Sequence, residues 1–185
     1  PARQRLMQQL LSPARPHLVV LGMMGVGKST TAKAIAAQHH VPAYDSDDDI
    51  ETLFGMTGGE IAAERSIDEL HRIESAVLLG RLANEQPSLI SAAAWIVEDP
   101  RCCEALARRA QVAVLTAPVD EILRRMATGA HRRSMDRAEL VALAERRTPL
   151  FAAVADYQLD ATLPTNELVA AISSQTRLPN PTQTT

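Results

Sequence analysis

The sequence predicts an α/β fold whose parallel sheet is covered by helices on both faces, and three observations carry that prediction. Short apolar runs alternate with longer segments of helical spacing, the pattern of strands joined by helical crossovers. The first such run, His17-Leu18-Val19-Val20-Leu21, leads through Gly22-Met23-Met24-Gly25-Val26-Gly27-Lys28-Ser29-Thr30 into the helical segment Thr31–Ala37. That order of strand, glycine-rich loop and helix is the arrangement that cradles phosphate. The polar clusters further on fall after the strand candidates, at the carboxyl ends where such sheets bind ligands.

Taken in order, residues 1–16 read as a short helix or linker with Leu6, Leu10 and Leu11 on one side, broken by Pro13 and Pro16. A single domain is expected over 17–174. Helix 28–40 leads to a short strand, Val41-Pro42-Ala43-Tyr44, and then to the acidic run Asp45-Ser46-Asp47-Asp48-Asp49. Helical spacing returns at Ile50, Leu53 and Phe54, and again at Ile61-Ala62, Leu70, Ile73, Val77 and Leu78. Ser88-Leu89-Ile90-Ser91 and Val112-Ala113-Val114-Leu115 read as buried strands on either side of helix 100–109. Helix 118–127, an arginine-rich turn over 128–136, helix 137–147, a strand near Tyr157-Gln158-Leu159 and helix 165–173 complete the alternation. Residues 175–185 read as a flexible polar tail.

Composition narrows the class of function. At 185 residues the chain suits one domain with its own core, and a net charge of −3 with 3% aromatic residues supplies neither a basic stripe nor stacking platforms. Nucleic acid is therefore not the expected partner, and a small molecule is. Cys102 and Cys103 are adjacent, which prevents an ordinary disulfide between them, so they read as helix packing in a reduced, cytoplasmic setting. No stretch approaches the ~18 apolar residues of a membrane-spanning helix, and the start lacks a signal-peptide core. A monomer without membrane contact is the expectation.

The loop states its chemistry through spacing. Gly22 and Gly27 let backbone amides turn toward phosphate oxygens without a Cβ in the way, with Met24, Gly25, Val26 and Thr30 completing the cradle. Lys28 would bridge the outer phosphates of ATP and the Ser29 hydroxyl would ligate Mg²⁺. Asp45, at the end of the second strand, is placed to hold a water of the Mg²⁺ shell; Asp47, two residues on, can point toward an acceptor hydroxyl. Asp48 and Asp49 read as a solvated complement to a helix N-terminus. His39-His40 likewise complements a helix end. Trp95 reads either as a cap on an acceptor pocket or as core.

Together these stretches make the sequence resemble the shikimate kinase family. The matching segments are the loop itself, Tyr44–Glu51, Thr57-Gly58 with Ile61-Ala62, the helix His71-Arg72-Ile73-Glu74, and Arg147-Thr148-Pro149-Leu150-Phe151 with Val154-Ala155. The resemblance implies a three-layer P-loop kinase fold with a five-stranded parallel sheet, and ATP-dependent transfer of a phosphoryl group to a hydroxyl of a small, carboxylated acceptor. It implies Mg²⁺ contacts through Ser29 and Asp45, acceptor recognition by Asp47, the position of His71 and Arg147, and a lid at about 126–136. Arg132 would be the lid arginine that reaches the phosphates, making Lys28, Asp47 and Arg132 the catalytic set; Arg125 would pack on the adenine.

Three departures stand on the acceptor side. His71 replaces an arginine that grips the acceptor carboxylate, and a mostly neutral imidazole lacks that permanently charged fork. Ser91-Ala92-Ala93-Ala94-Trp95 replaces a run of glycines whose amides meet the acceptor, and Arg133 follows Arg132 where proline is usual. An altered kinase is the leading reading. A nucleotide-binding regulatory or sensor protein with little kinase activity is the alternative from another class, and an NTPase or nucleotide kinase shares the same loop.

Overall fold

The computed structural model describes residues 15–128 and 135–176. The elements are strand β1 (His17–Gly22), helix α1 (Lys28–His39), β2 (Ala43–Asp45), α2 (Ser46–Phe54), α3 (Gly58–Glu64), α4 (Ile67–Leu82), β3 (Leu89–Ser91), a 3₁₀ turn (Ala94–Glu98), α5 (Pro100–Arg109), β4 (Ala110–Thr116), α6 (Val119–Thr128), α7 (Arg137–Val154), β5 (Tyr157–Asp160) and α8 (Thr165–Gln175). The five strands form one parallel sheet in the order β2-β3-β1-β4-β5.

The period-2 alternation of β1 distributes the core. Leu18 and Val20 face α1 and α8 and pack with Ile35, Leu168 and Ile172. Val19 and Leu21 face the other way, into a cluster with Leu78 and Leu82 of α4, Cys102 and Leu106 of α5, and Leu140 and Phe151 of α7. All four β1 side chains are fully buried, and each contributes roughly 1.5–3 kcal/mol of burial. A smaller cluster of Ile50, Ile61 and Ile73 ties α2, α3 and α4 together beside the sheet. This places the carboxyl ends of β1, β2 and β3 in one row, because Val20 pairs with Ser91 and Ser91 with Asp45.

The five-stranded alternation agrees with the sequence reading, and its boundaries differ in instructive places. β2 runs over 43–45 rather than 41–44, because Asp45 still pairs with Ser91 before capping α2. β4 begins two residues early, since Ala110 and Gln111 pair with His17 and Leu18. Helix 137–147 extends to Val154 through Pro149. Proline there forgoes one helical N–H and costs about 3 kcal/mol; the Thr148 hydroxyl donates to the Ala144 carbonyl at 2.7 Å, and burial of Phe151 beyond it offsets the loss. Leu53 and Phe54 are exposed, at 68% and 38%; only Ile50 of that helical set reaches the core. Cys102 is fully buried, in keeping with packing. The expected helix over 1–16 lies outside the described residues except for Arg15 and Pro16, as do most of the tail and residues 129–134 of the arginine-rich turn.

Candidate functional site

The glycine-rich loop has the backbone its sequence asks for. Gly22, Gly25 and Gly27 take φ of 140°, 78° and 106°, which side chains rarely tolerate. Gly22 is the tightest point: a Cβ there would stand 2.4 Å from the Leu115 carbonyl oxygen of β4. The loop therefore lies directly on the neighbouring strand. Gly27 ends it and starts α1, whose first turn carries no acidic residue, so the positive end of the helix is uncompensated by its own side chains.

Lys28 curls back over the loop and donates to the carbonyls of Gly22 (3.1 Å) and Met23 (3.2 Å). Ser29 follows on the first turn of α1, half-buried. Arg125 of α6 is locked beside the loop. Its guanidinium donates to the carbonyls of Val26 (2.9 Å) and Ala161 (2.7 Å) and to the Glu121 carboxylate (2.6 Å), and a Cβ on Gly27 would lie 3.8 Å from it. The opposite Glu121 is half-buried, and Arg124 and then Arg125 pull its carboxyl down to about 2.

Asp45 caps α2: its Oδ1 accepts from the Asp47 amide at 3.0 Å. Its Oδ2 is buried at the end of β2 with no hydrogen-bond partner. A buried, unpaired carboxylate oxygen costs several kcal/mol unless a cation or water supplies what the protein does not. Asp45 and Ser29 thus fit a hydrated Mg²⁺, a hard ion that takes oxygen ligands and keeps part of its water shell. Asp47 is exposed on the first turn of α2. Asp48 is exposed beside Lys33 at 3.3 Å, but Asp49 is not merely solvated: Arg81 of α4 grips it at 2.8 and 2.5 Å and lies over the Tyr44 ring at 3.7 Å.

Opposite Asp47 stands a group of side chains from α4, the 3₁₀ turn and α7. The His71 and Trp95 rings stack, with centroids 4.1 Å apart and planes 11° from parallel; Trp95 is half-buried, so it belongs to the face of the molecule rather than its core. Burial first and the positive charge of Arg147 second lower the His71 pKa, which keeps the imidazole neutral at pH 7. Arg147, 6% exposed, donates from Nε to Glu98 at 2.6 Å, while its neighbour Arg146 reaches the same oxygen from the surface at 3.0 Å. Burial pushes the Glu98 carboxyl up, but these two arginines outweigh it and leave it below its ordinary value. Ala92, Ala93 and Ala94 are buried, and the Ala92 amide donates to the Val20 carbonyl at 3.3 Å.

Two further residues of this group carry no role in the sequence reading. Glu74, one turn beyond His71 on α4, has a buried Oε2 with no partner. Desolvation first and the charge of Asp47 second raise its pKa to about 7, against the opposing pull of Arg147 and Lys28. The i, i+3 spacing from His71 places both on one face of α4 and is the signal that finds it. Glu98 stands at the same interval from Trp95, but nothing in the sequence joins it to Arg147, 49 positions away. Arg132, expected in the lid, lies outside the described residues.

The sequence model of the shikimate kinase family matches residues 24–177. A shikimate kinase of Xanthomonas euvesicatoria is 33% identical over 156 residues, covering 81% of this chain and 84% of that protein. One of Mycobacterium leprae is also 33% identical, over 150 residues, covering 78% and 74%. Among solved structures, a shikimate kinase from Acinetobacter baumannii in complex with shikimate superposes with a TM-score of 0.82 at 23% identity, over 90% of this chain and 95% of that one. The structure from Bacteroides thetaiotaomicron gives 0.77 at 24%, over 86% and 97%. These two share the fold, and the family model runs from within the loop past the acidic strand end and the α7 arginine; the chain belongs to the shikimate kinase family.

Proposed function

We propose that this chain is an ATP- and Mg²⁺-dependent phosphotransferase that moves the γ-phosphoryl group to a hydroxyl of a small acceptor held between α2, α4, the 3₁₀ turn and α7. The observation that carries the reading is the row of groups along the strand ends: a phosphate loop on β1, an unpaired buried carboxylate oxygen on Asp45, and Asp47 beside Glu74. Phosphoryl transfer depends chiefly on positioning and on charge placed around a loose transition state. Lys28, now resting on two carbonyls of its own loop, would turn to the outer phosphates, and the amides of Met24, Gly25, Val26, Gly27 and Thr30 would line the cradle. Arg125, fixed by three acceptors, would flank the base. Mg²⁺, held through Ser29 and Asp45, would neutralise charge building on the phosphates.

Asp47 would orient the acceptor hydroxyl and take its proton as the new P–O bond forms. Asp47→Ala should lower acceptor-dependent ADP formation at least a hundredfold while leaving ATP affinity within about twofold, since its assigned role is toward the acceptor hydroxyl. ADP release from ATP and Mg²⁺, with Lys28→Ala as the blank, measures the first, and calorimetric titration the second. An Asp47→Ala variant as active as the parent would remove this role. The second reading, a nucleotide-binding sensor, draws on the pairing of Arg147 with Glu98 and the His71–Trp95 stack, which occupy groups an acceptor would use. Tight nucleotide binding with no acceptor-dependent turnover would favour it.

A further inference from the structure

Resting on that reading of the site, we infer that Glu98 is a positioning residue: it holds the buried Arg147 by Nε, so that the terminal fork of Nη1 and Nη2 is presented to an anionic group of the acceptor. The place of Arg147 in its helix carries the argument. The buried residues of α7 are Leu140, Arg147 and Phe151, and intervals of seven and four put them on one face of a helix. Leu140 and Phe151 pack into the core. Between them, where the spacing asks for an apolar side chain, stands a guanidinium 6% exposed. Burying a charged group costs stability unless an opposite charge meets it, and an apolar residue in place of such a pair is often as stable or more so. Core packing gives no reason for an arginine at this position, whereas a ligand does.

Glu98 meets that arginine in a particular way. Its Oε1 accepts from Arg147 Nε at 2.6 Å and from Arg146 Nη2 at 3.0 Å. Among the described residues, Nη1 and Nη2 of Arg147 make no hydrogen bond. Those two nitrogens are a fork that fits a carboxylate through two parallel bonds, and anchoring at Nε keeps it whole. The anchor itself is rigid. Glu98 closes a 3₁₀ turn whose Ile96 and Val97 are buried, and the next residue, Asp99, caps α5 by accepting from the Arg101 amide at 2.9 Å. The charge of Arg147 is felt by His71 and Glu74 across the site, on α4. One short segment, residues 92–98, thus carries both a wall of the acceptor space and the carboxylate that aims the arginine.

Shikimate serves as the probe, because its ring carries one carboxylate. Its binding to the chain loaded with Mg²⁺ and a non-hydrolysable ATP analogue is measured by calorimetry, its KM and kcat by ADP formation, and folding by urea unfolding. Glu98→Ala should weaken shikimate binding at least tenfold, raising KM in proportion while kcat changes less than threefold and affinity for the analogue less than twofold. Glu98→Gln keeps an accepting oxygen at the same reach and should stay within threefold of the parent. In an Arg147→Met background, Glu98→Ala should change shikimate affinity less than twofold further, because no fork is left to aim, and this double variant should unfold at the same urea concentration as the parent or a higher one. Full affinity in Glu98→Ala, equal losses in Glu98→Ala and Glu98→Gln, a further loss in the Arg147→Met background, or a parent that binds no shikimate each overturns the inference. Binding in the expected order with no ADP formation leaves Glu98 its role and overturns the kinase reading instead, so the two fail separately.

Discussion

The nucleotide side and the acceptor side of this molecule are held in place by different physics, and the contrast explains which of them has changed. The phosphate loop is fixed by backbone: Gly22 lies against the Leu115 carbonyl, three glycines occupy positive φ, and Arg125 clamps two carbonyls. A side chain at Gly22 would collide with main chain, and one at Gly25 or Gly27 would meet positive φ, so the loop has few alternatives. The acceptor side is built from side chains carried by α2, α4, the 3₁₀ turn and α7, and these can be exchanged in compensating pairs. His71 stacks on Trp95 and Arg147 pairs with Glu98. A site made of paired side chains can alter its ligand while the fold and the nucleotide loop stay as they are.

The largest expected effect tests the backbone half of that contrast. Gly22→Ala should destabilise the protein by about 3 kcal/mol or more, because it adds both positive-φ strain and a Cβ 2.4 Å from a carbonyl oxygen. ATP affinity should fall at least tenfold with it. Gly55→Ala is the control: Gly55 has φ 65° but open space around it, so strain alone should cost about 1 kcal/mol. Urea unfolding of the two variants separates close approach from conformational strain. Equal losses would mean that contact with β4 does not restrain the loop.

On the acceptor side the largest stored cost belongs to Glu74. Its carboxyl, near 4.5 in the unfolded chain, is raised to about 7 by burial and by Asp47. The folded state therefore holds a proton more firmly than the unfolded one between those values. The contribution to stability is fully present below pH 4.5 and lost as pH rises through 7, reaching a cost of at most about 3 kcal/mol in alkali. Glu74→Gln removes the ionisation, so it should change stability little at pH 5 and raise it by about 1–3 kcal/mol at pH 8. Unfolding midpoints at the two values measure this. A gain that is the same at both would show that shape, not charge, governs the site.

Legibility in the sequence follows the same divide. The loop, Asp45 and the alternation of strands and helices depend on neighbours within a few residues, and the pattern of glycines and apolar runs reveals them. Arg147 is legible only through the family resemblance; its 6% exposure follows from Phe151 packing α7 onto the core past Pro149, a tertiary effect. Glu98 and its bond to Arg147 depend on the 3₁₀ turn lying beside α7, which no local spacing encodes. Leu53 and Phe54 continue the helical spacing of Ile50, yet both are exposed. Periodicity marks the helix; it does not say what covers each residue.

That last point gives the smallest expected effect and the sharpest check on how the acceptor side is anchored. α2 carries Asp47 at its first turn, and it is held by Ile50 in a cluster with Ile61 and Ile73 and by the Asp49–Arg81 pair. Leu53, 68% exposed on its outer side, takes no part in either anchor. Leu53→Ser should therefore move the unfolding free energy by no more than about 0.5 kcal/mol and leave acceptor-dependent ADP formation within twofold. A loss of activity without a loss of stability would mean that the outer face of α2 sets the position of Asp47, and that the acceptor side is held from outside as well as by its paired side chains.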